Sequence, residues 1–192
     1  MRSPADAVAV IPAAGRGSRL GSGHGSKEVL SIGGRRACQD LLEALDEAGI
    51  GSGLLLTRRT KLDVPLAVAR LPLVTLRVAT LLVPETPSVP HTIDRAWPFL
   101  RGRTVALGFP DVLLEPRTVF RDLLARHREG GADVVLALFP AAEPARSDLV
   151  ATDAAGRVVE VVVKSPHSPL RRTWMAAVWS HRFTEHLHAA VA

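Results

Sequence analysis

Apolar residues along this chain fall into two patterns, short continuous runs and helical repeats. Residues 8–11 and 54–56 are continuous apolar runs, which are typical of strands covered on both faces of a sheet. Between these runs lies a predicted helix, which Gly49 ends. The apolar face of this helix comprises Ala37, Leu41, Leu42, Leu45 and Ala48. Strand, helix and strand in this order predict a doubly wound parallel sheet, in which ligands bind outside the carboxyl ends of the strands.

The rest of the chain continues the same alternation. A hairpin is predicted around the turn at 153–156, and strand alternation places Glu160, Val162 and Lys164 on one face of its second strand. The prolines within 84–91 predict an irregular segment, and Thr92 is a candidate cap for the helix that follows. The predicted helices cover 64–71, 93–100, 116–128 and 184 to the end, and further strands lie within 74–83 and at 104–109, 134–139, 149–151, 158–163 and 173–179.

Length and composition predict a single globular domain over residues 1–192. Hydrophobic residues make up 47% of the chain and charged residues 22%, which is a globular composition. No apolar run approaches the roughly 18 residues that a membrane span requires. The first residues lack an apolar signal segment, and the single cysteine, Cys38, excludes an internal disulfide framework. We expect a cytoplasmic protein without a membrane partner.

The formal net charge of +5 is carried almost entirely by arginine. Such a charge suits either nucleic acid or a site for small phosphates. The arginines are scattered, tyrosine is absent and aromatic residues make up only 4% of the chain, so base-stacking platforms are not expected. Small phosphates are therefore favoured over nucleic acid as the partner.

The first predicted strand runs into a segment that is poor in side chains. Pro12 ends the strand. The residues after it are small: Ala13, Ala14 and Gly15. A bare backbone lets N–H groups approach phosphate oxygens, and Gly15 and Gly17 allow the positive φ that such a loop uses. Arg19 and Lys27 add positive charge nearby. The alternative interpretation is a glycine-rich surface turn with basic neighbours.

The segment from Pro12 to Leu20 and the segment that opens Lys27-Glu-Val-Leu together resemble the opening of the sugar-1-phosphate nucleotidyltransferases, such as the glucose-1-phosphate thymidylyltransferases. In that family a Gly-x-Gly-Ser/Thr-Arg motif precedes a variable loop and a Lys-x-Leu-Leu motif. The loop between Arg19 and Lys27 is short, as in the cytidylyltransferases that act on small phosphates. Ser26 stands where the family usually has proline.

The resemblance implies an α/β, three-layer nucleotidyltransferase (Rossmann-like) fold with a mostly parallel central sheet. It also implies that a nucleoside triphosphate is coupled to a sugar 1-phosphate or similar small phosphate, with release of pyrophosphate and with Mg²⁺ as cofactor. Arg19 and Lys27 would be catalytic, and Asp111 would bind the metal; the alternative for Asp111 is a turn aspartate that caps its own backbone. The implied nucleotide-binding residues are Ala13, Ala14, Gly15, Arg16, Gly17, Ser18, Ser88, Pro90, His91 and Thr92. For residues 88–92 a proline-stiffened connector is the alternative.

Three later features complete the candidate chemistry. Lys164 lies in a segment similar to the family's Glu-Lys-Pro, which implies contact with the acceptor phosphate, although Val163 replaces the glutamate. These enzymes commonly use a second metal-binding aspartate late in the chain, but the only carboxylates after Asp153 are Glu160 and Glu185. The histidines near the end are predicted at the solvated surface, because no carboxylate or cysteine accompanies them in the sequence: His181, His186 and His188.

Two alternatives to the enzyme stay open, a catalytically idle relative that binds nucleotide or sugar phosphate as a sensor or subunit, and a nucleic-acid-binding α/β domain. Release of pyrophosphate separates the enzyme from the idle relative. Competition by free nucleotide separates both from a nucleic-acid-binding domain. The resemblance slightly favours a pyrimidine nucleotide, and the sequence leaves the acceptor and a homo-oligomer open.

Overall fold

Strands and helices alternate along the part of the chain that the structure, a computed structural model, describes: residues 6–15 and 25–191. The strands are β1 (Ala7–Pro12), β2 (Ser31–Ile32), β3 (Arg35–Arg36), β4 (Ser52–Thr57), β5 (Arg77–Leu82), β6 (Thr104–Gly108), β7 (Val134–Pro140), β8 (Asp148–Thr152), β9 (Val158–Val163) and β10 (Arg172–Trp179). The helices are α1 (Ala37–Glu47), α2 (Asp63–Val68), α3 (Val89–Asp94), α4 (Trp97–Leu100), α5 (Val119–Gly130) and α6 (His181–Val191).

Among the described residues, the central sheet has eight strands in the order β5-β4-β1-β6-β10-β8-β9, with β7 also paired to β10. β1 lies between β4 and β6 and pairs with both in parallel, so that Val8 is opposite Ser52 on one side and Val105 on the other. β5 extends the parallel set beyond β4. β10 is antiparallel to its neighbours, and β8 and β9 form an antiparallel hairpin. The predicted α/β architecture with a mostly parallel sheet is confirmed.

Helices cover the sheet on both faces. One face packs against α1, α2 and α5 in a core that includes Leu41, Leu45 and Phe120. The other face packs against α3, α4 and α6, with Ile93 and Leu100 in its core. The apolar run of β1 is continuous because its side chains enter both cores. The three layers are therefore helix, sheet and helix, as predicted.

The proline-rich segment before α3 differs from its prediction. Helix α3 already begins at Val89, and Pro90 lies in its first turn, where the missing N–H has no intrahelical partner to lose. Thr92 lies inside α3 instead of capping it. The helix predicted over 93–100 is divided into α3 and α4, because Pro98 cannot donate a hydrogen bond to the carbonyl of Asp94.

The other predicted elements are present with shifted ends. The helix predicted from Thr184 begins at His181, and the helix predicted from residue 116 begins at Val119. The helix predicted over 64–71 ends at Val68. The hairpin closes as predicted, with the Asp153 N–H donating to the Arg157 carbonyl at 2.9 Å.

All three tryptophans lie on the side of the sheet covered by α3, α4 and α6. The Trp97 ring stacks on His188 of α6 with 4.2 Å between ring centroids, and the Trp179 indole N–H donates to Thr184 Oγ1 at 3.0 Å. His188 Nδ1 lies 2.7 Å from Asp94 Oδ1. His188 is therefore half-buried and paired, contrary to the prediction that it is solvated, because its partner is distant in the sequence. None of the helices in the described ranges is long and apolar enough to cross a membrane.

Candidate active site

An open cleft of about 540 Å³ lies where the carboxyl ends of β1 and β6 meet the start of α3. This is the edge at which doubly wound sheets bind ligands. Four separate stretches of sequence form its wall: Pro12, Ala14, Gly15, Lys27, Glu28, Glu85, Thr86, Pro87, Ser88, Val89, Thr92, Phe109 and Asp111.

The backbone after β1 forms one side of the cleft. The Ala13 N–H donates to the Leu56 carbonyl at 2.8 Å, which continues the pairing of β1 with β4 up to the cleft. A Cβ added at Gly15 would meet no atom of the described residues within 4 Å. The predicted site residues within 16–24 lie outside the described residues and stay predictions: Arg16, Gly17, Ser18 and Arg19.

Lys27 and Asp111 form an ion pair in the cleft. They are 84 residues apart in the sequence; Lys27 lies in a short 3₁₀ turn, Lys27–Val29, and Asp111 lies just beyond the end of β6. Their side chains are 34% and 29% exposed, so both charges are open to a ligand. The lysine expected to bind phosphate and the aspartate expected to bind metal therefore lie together.

The start of α3 forms the opposite wall. Ser88 and Thr92 line the cleft, whereas Pro90 and His91 are not part of its wall. The Oγ1 atoms of Thr86 and Thr92 are hydrogen-bonded to each other, and Thr92 Oγ1 donates to the Ser88 carbonyl at 3.2 Å. His91 Nδ1 lies 2.8 Å from Ser88 Oγ. Two of the four residues predicted here to contact nucleotide thus line the cleft.

Several wall residues were not predicted, because they carry no motif that singles them out. Four of them belong to the proline-rich segment: Glu85, Thr86, Pro87 and Val89. Their position next to Ser88, which was predicted to contact nucleotide, was the one feature of the sequence that could have indicated them. Phe109 supplies an apolar surface, and its ring centroid lies 6.1 Å from that of Trp174 on β10.

A buried ion pair between the wall residue Glu28 and Lys61, which is not part of the wall, was also missed. Lys61, 6% exposed, donates from Nζ to Glu28 Oε1 at 2.7 Å, and Glu28 is 1% exposed. The same ammonium donates to the carbonyls of Ala13 at 2.8 Å and Gly15 at 3.3 Å. The sequence shows only a basic stretch after a predicted strand, and gives no sign that Lys61 turns inward.

No protein-family model matches the chain, and no curated protein matches its sequence. Solved structures match it closely in fold. A UTP-bound UGPase from Acinetobacter baumannii is 18% identical, with a TM-score of 0.77, over 93% of this chain and 75% of the other. The fold is that of the sugar-1-phosphate nucleotidyltransferases.

Two further structures agree. A Bacillus anthracis protein described as a glucose-1-phosphate thymidylyltransferase, in complex with sucrose, has a TM-score of 0.80 at 13% identity and covers 94% of this chain and 74% of its own. A UDP-glucose pyrophosphorylase complexed with UDP-glucose has a TM-score of 0.79 at 15% identity, over 94% and 78% of the two chains. The resemblance found in the opening motif therefore extends to the fold of nearly the whole chain.

Within this nucleotidyltransferase fold, Lys164 lies at the end of the β9 strand and outside the cleft wall. It is exposed, its φ is +44°, and its N–H donates to the Ser147 carbonyl at 3.2 Å. No described contact joins Lys164 to Lys27 or Asp111. Its role toward an acceptor phosphate stays a prediction.

Asp111 is the only carboxylate at this edge that the sequence predicted for metal. No group of three or more His, Cys, Asp or Glu within the described ranges is arranged to hold a metal ion. Glu185 accepts a hydrogen bond from the Trp97 indole at 3.1 Å, and Glu160 is exposed on the outer strand β9. Magnesium is commonly bound by one or two carboxylates together with substrate phosphates and waters, so Asp111, beside the lysine that is predicted to bind phosphate, fits a magnesium ion that arrives with nucleotide.

Proposed function

We propose that the protein is a nucleotidyltransferase that couples a nucleoside triphosphate to a sugar 1-phosphate or similar small phosphate and releases pyrophosphate. The Lys27–Asp111 pair carries the proposal, because it brings an ammonium, which suits a phosphate, and a carboxylate, which suits a metal ion, to the ligand edge of this fold. The similar structures support it, since one is UTP-bound and another is complexed with UDP-glucose.

In this proposal, different residues of the cleft bind the phosphates, the nucleoside and the metal. The Lys27 ammonium binds a phosphate oxygen of the triphosphate, and the thin backbone at Ala14 and Gly15 lets that phosphate approach closely. The start of α3, with Ser88 and Thr92, contacts the nucleoside. Asp111 would hold magnesium, which when bound would neutralise phosphate charge.

The reaction itself needs positioning more than covalent catalysis. An oxygen of the acceptor phosphate attacks the α-phosphorus and forms a new P–O bond. The bond from the α-phosphorus to the bridging oxygen breaks, and pyrophosphate leaves with that oxygen and its electron pair. Fixed positive charge stabilises the charge that develops on the leaving group.

Pyrophosphate release from a panel of nucleoside triphosphates and sugar 1-phosphates tests the proposal. We expect Lys27→Ala to lower kcat/KM by roughly 10- to 150-fold, because losing a charge-assisted contact costs about 1.5–3 kcal/mol. Arg121→Ala, an exposed change on α5, is the control and should keep full activity. Full activity in Lys27→Ala would contradict the site, and nucleotide binding without pyrophosphate release would indicate the idle relative.

Calorimetric titration tests the metal. We expect magnesium to bind weakly to the protein alone and appreciably with a bound triphosphate, and Asp111→Asn to lose this binding. Asp122→Asn on α5 is the matched control. Tight binding to the empty protein, or binding unchanged in Asp111→Asn, would contradict the assignment.

The proposal includes four expectations from the sequence. They are contact of Lys164 with the acceptor phosphate, the catalytic role of Arg19, a cytoplasmic location and a single domain over residues 1–192. An acceptor screen in the Lys164→Ala and Arg19→Ala variants tests the first two.

A further inference from the structure

One short turn contacts two of the stretches that form the cleft. After β4, the chain makes a 3₁₀ turn, Arg59–Lys61, and enters α2 at Asp63. Lys61 contacts residues on the β1 side of the cleft, and Asp63 contacts the residue just before Lys27. Lys61 and Asp63 therefore connect this turn to both stretches.

Lys61 is saturated by its partners. An ammonium has three donors, and this one reaches the carbonyls of Ala13 and Gly15 and the carboxylate of Glu28. In a trans peptide unit, the C=O of one residue and the N–H of the next point in opposite directions. Because the Ala13 carbonyl points at the buried ammonium, the Ala14 N–H points away from it, and Ala14 lines the cleft. Lys61 therefore fixes the orientation of the peptide unit between Ala13 and Ala14 beside the cleft.

Asp63 fixes the second stretch. Its Oδ2 accepts the Ser26 N–H at 2.8 Å and its Oδ1 accepts the Ser26 hydroxyl at 2.8 Å. Burial raises the pKa of this carboxyl, but the two Ser26 donors and the Val64 N–H outweigh burial and hold the pKa below its usual value. A proline at position 26 would have no N–H for this bond. The sugar-1-phosphate nucleotidyltransferases usually have proline at this position, directly before the lysine. In this chain the position is Ser26, and its hydrogen bonds to Asp63 hold it in place.

Stability alone does not account for the Lys61–Glu28 pair. Burying two charges costs desolvation, and replacing a buried pair with apolar residues is often neutral or stabilising. Glu28 Oε2 is also buried without a hydrogen-bond partner among the described residues, which adds to that cost. What the pair does achieve is a fixed orientation of the carbonyls beside the cleft.

We propose that Lys61 and Asp63 are positioning residues for phosphate binding: Lys61 orients the backbone at Ala13–Gly15, and Asp63 places Lys27 through Ser26. The inference rests on the proposed function, since it names what sets the geometry of that site. Neither residue is in the cleft wall, so each acts through a neighbour.

The first test separates positioning from stability. Inorganic tripolyphosphate is the probe, because it reports on phosphate binding without a base. Lys61→Met alone strands a buried carboxylate and should destabilise the fold, whereas Lys61→Met with Glu28→Leu removes the whole pair and should restore stability. We expect the double variant, with its urea midpoint near that of the unmodified protein, to bind tripolyphosphate about 10-fold or more weakly, as loss of one oriented contact predicts.

The second test asks whether Asp63 acts through Lys27. We expect Asp63→Ala to weaken tripolyphosphate binding several-fold in the unmodified background and to have no further effect in Lys27→Ala, because coupled residues are not additive. Asp122→Ala is the control and should change neither affinity.

The outcomes are distinguishable. If the unmodified protein binds tripolyphosphate and the Lys61→Met/Glu28→Leu variant binds it equally well at normal stability, the positioning role is wrong and the proposed function stands. If Asp63→Ala and Lys27→Ala weakened tripolyphosphate binding additively, Asp63 would not act through Lys27, and that part of the proposal would be wrong. If the unmodified protein does not bind tripolyphosphate, both the proposed function and the positioning role are wrong.

Discussion

The centre of the central sheet and its β9 edge follow opposite rules of burial. The parallel strands around β1 are covered by helices on both faces, and residues 7–11 are at most 2% exposed. The β8–β9 hairpin ends in an outer strand, β9, that is also mostly apolar, yet Val159, Val161 and Val163 are 64%, 49% and 68% exposed. A mostly apolar strand is thus buried at the centre of the sheet and exposed at this edge.

The difference shows where stability and chemistry are located. The covered strands place the cleft at their carboxyl ends and hold it on a packed core. The hairpin pairs with the sheet through β8 and is open at its outer edge within the described residues. Changes in the covered half should therefore cost more stability than changes at the exposed valines of the outer strand β9.

The largest expected effect is a cavity in the covered half. Phe120 of α5 is fully buried against the sheet, so Phe120→Ala should lower the free energy of unfolding by about 3–5 kcal/mol. Val161→Ala in the hairpin should lower it by less than about 1 kcal/mol. Urea unfolding measures both free energies. Equal losses of stability in the two variants would contradict the contrast between the covered half and the hairpin.

A close second is overpacking at Gly108, at the end of β6. A Cβ there would lie 2.3 Å from Leu41 Cδ1 and 2.9 Å from Phe120 Cζ, so Gly108→Ala should destabilise by about 1–3 kcal/mol. Gly130→Ala is the matched control, because its added Cβ meets nothing within 4 Å and alanine is preferred in the helix by up to about 1 kcal/mol. Thermal unfolding would contradict the expectation if Gly108→Ala melted at the same temperature as the control.

A smaller effect depends on pH and compares two aspartates. Burial raises the pKa of Asp46, but the backbone N–H groups of Leu76, Val74 and Thr75 outweigh burial and lower it. Hydrogen bonds from Arg157 lower the pKa of Asp153 in the hairpin turn. A lowered folded-state pKa stabilises the fold above the unfolded value near about 3.9, and this contribution disappears as pH falls through the folded value.

We therefore expect Asp46→Asn to lose stability at neutral pH and to show a weaker fall between about pH 5 and pH 3 than the unmodified protein. Asp153→Asn should change global stability less, because Asp153 joins only the residues of its own turn, whereas Asp46 ties α1 to the segment before β5. Urea midpoints across this pH range are the measurement, and equal slopes in the Asp46→Asn and unmodified proteins would contradict it.

The smallest effect on stability is expected at the outer edge. Val161→Lys should change the free energy of unfolding by no more than about 0.5 kcal/mol. It should lower self-association at high protein concentration, because charged residues on an edge strand discourage pairing with another strand. Light scattering against concentration tests this, with Glu160→Lys on the other face of the strand as a control for charge.

Much of the covered half could be predicted because local patterns determine it. Apolar runs mark strands buried on both faces, and the helical repeat from Ala37 marks α1. Parallel pairing brings the carboxyl ends of β1 and β6 together, which predicts that Asp111 and the residues directly after β1 lie at one edge. Ser88 and Thr92 were predicted from the family resemblance, and both line the cleft.

What could not be predicted depends on contacts without a local signal. Lys61 reaches Ala13 across 48 residues, and His188 reaches Asp94 across 94 residues. Nothing in the neighbouring sequence shows that one lysine of a basic stretch is buried. Pro90 was taken to break structure, although a proline in the first turn of a helix loses no hydrogen bond.

The intrinsic fluorescence of the protein comes from one side of the sheet. All three tryptophans lie in the layer of α3, α4 and α6, and tyrosine is absent. Intrinsic fluorescence therefore reports on this layer and on the Phe109 wall beside Trp174, while loosening of α1, α2 and α5 would pass almost unseen. If the urea midpoint measured by fluorescence differed from the midpoint measured by circular dichroism, the two helical layers would unfold at different urea concentrations.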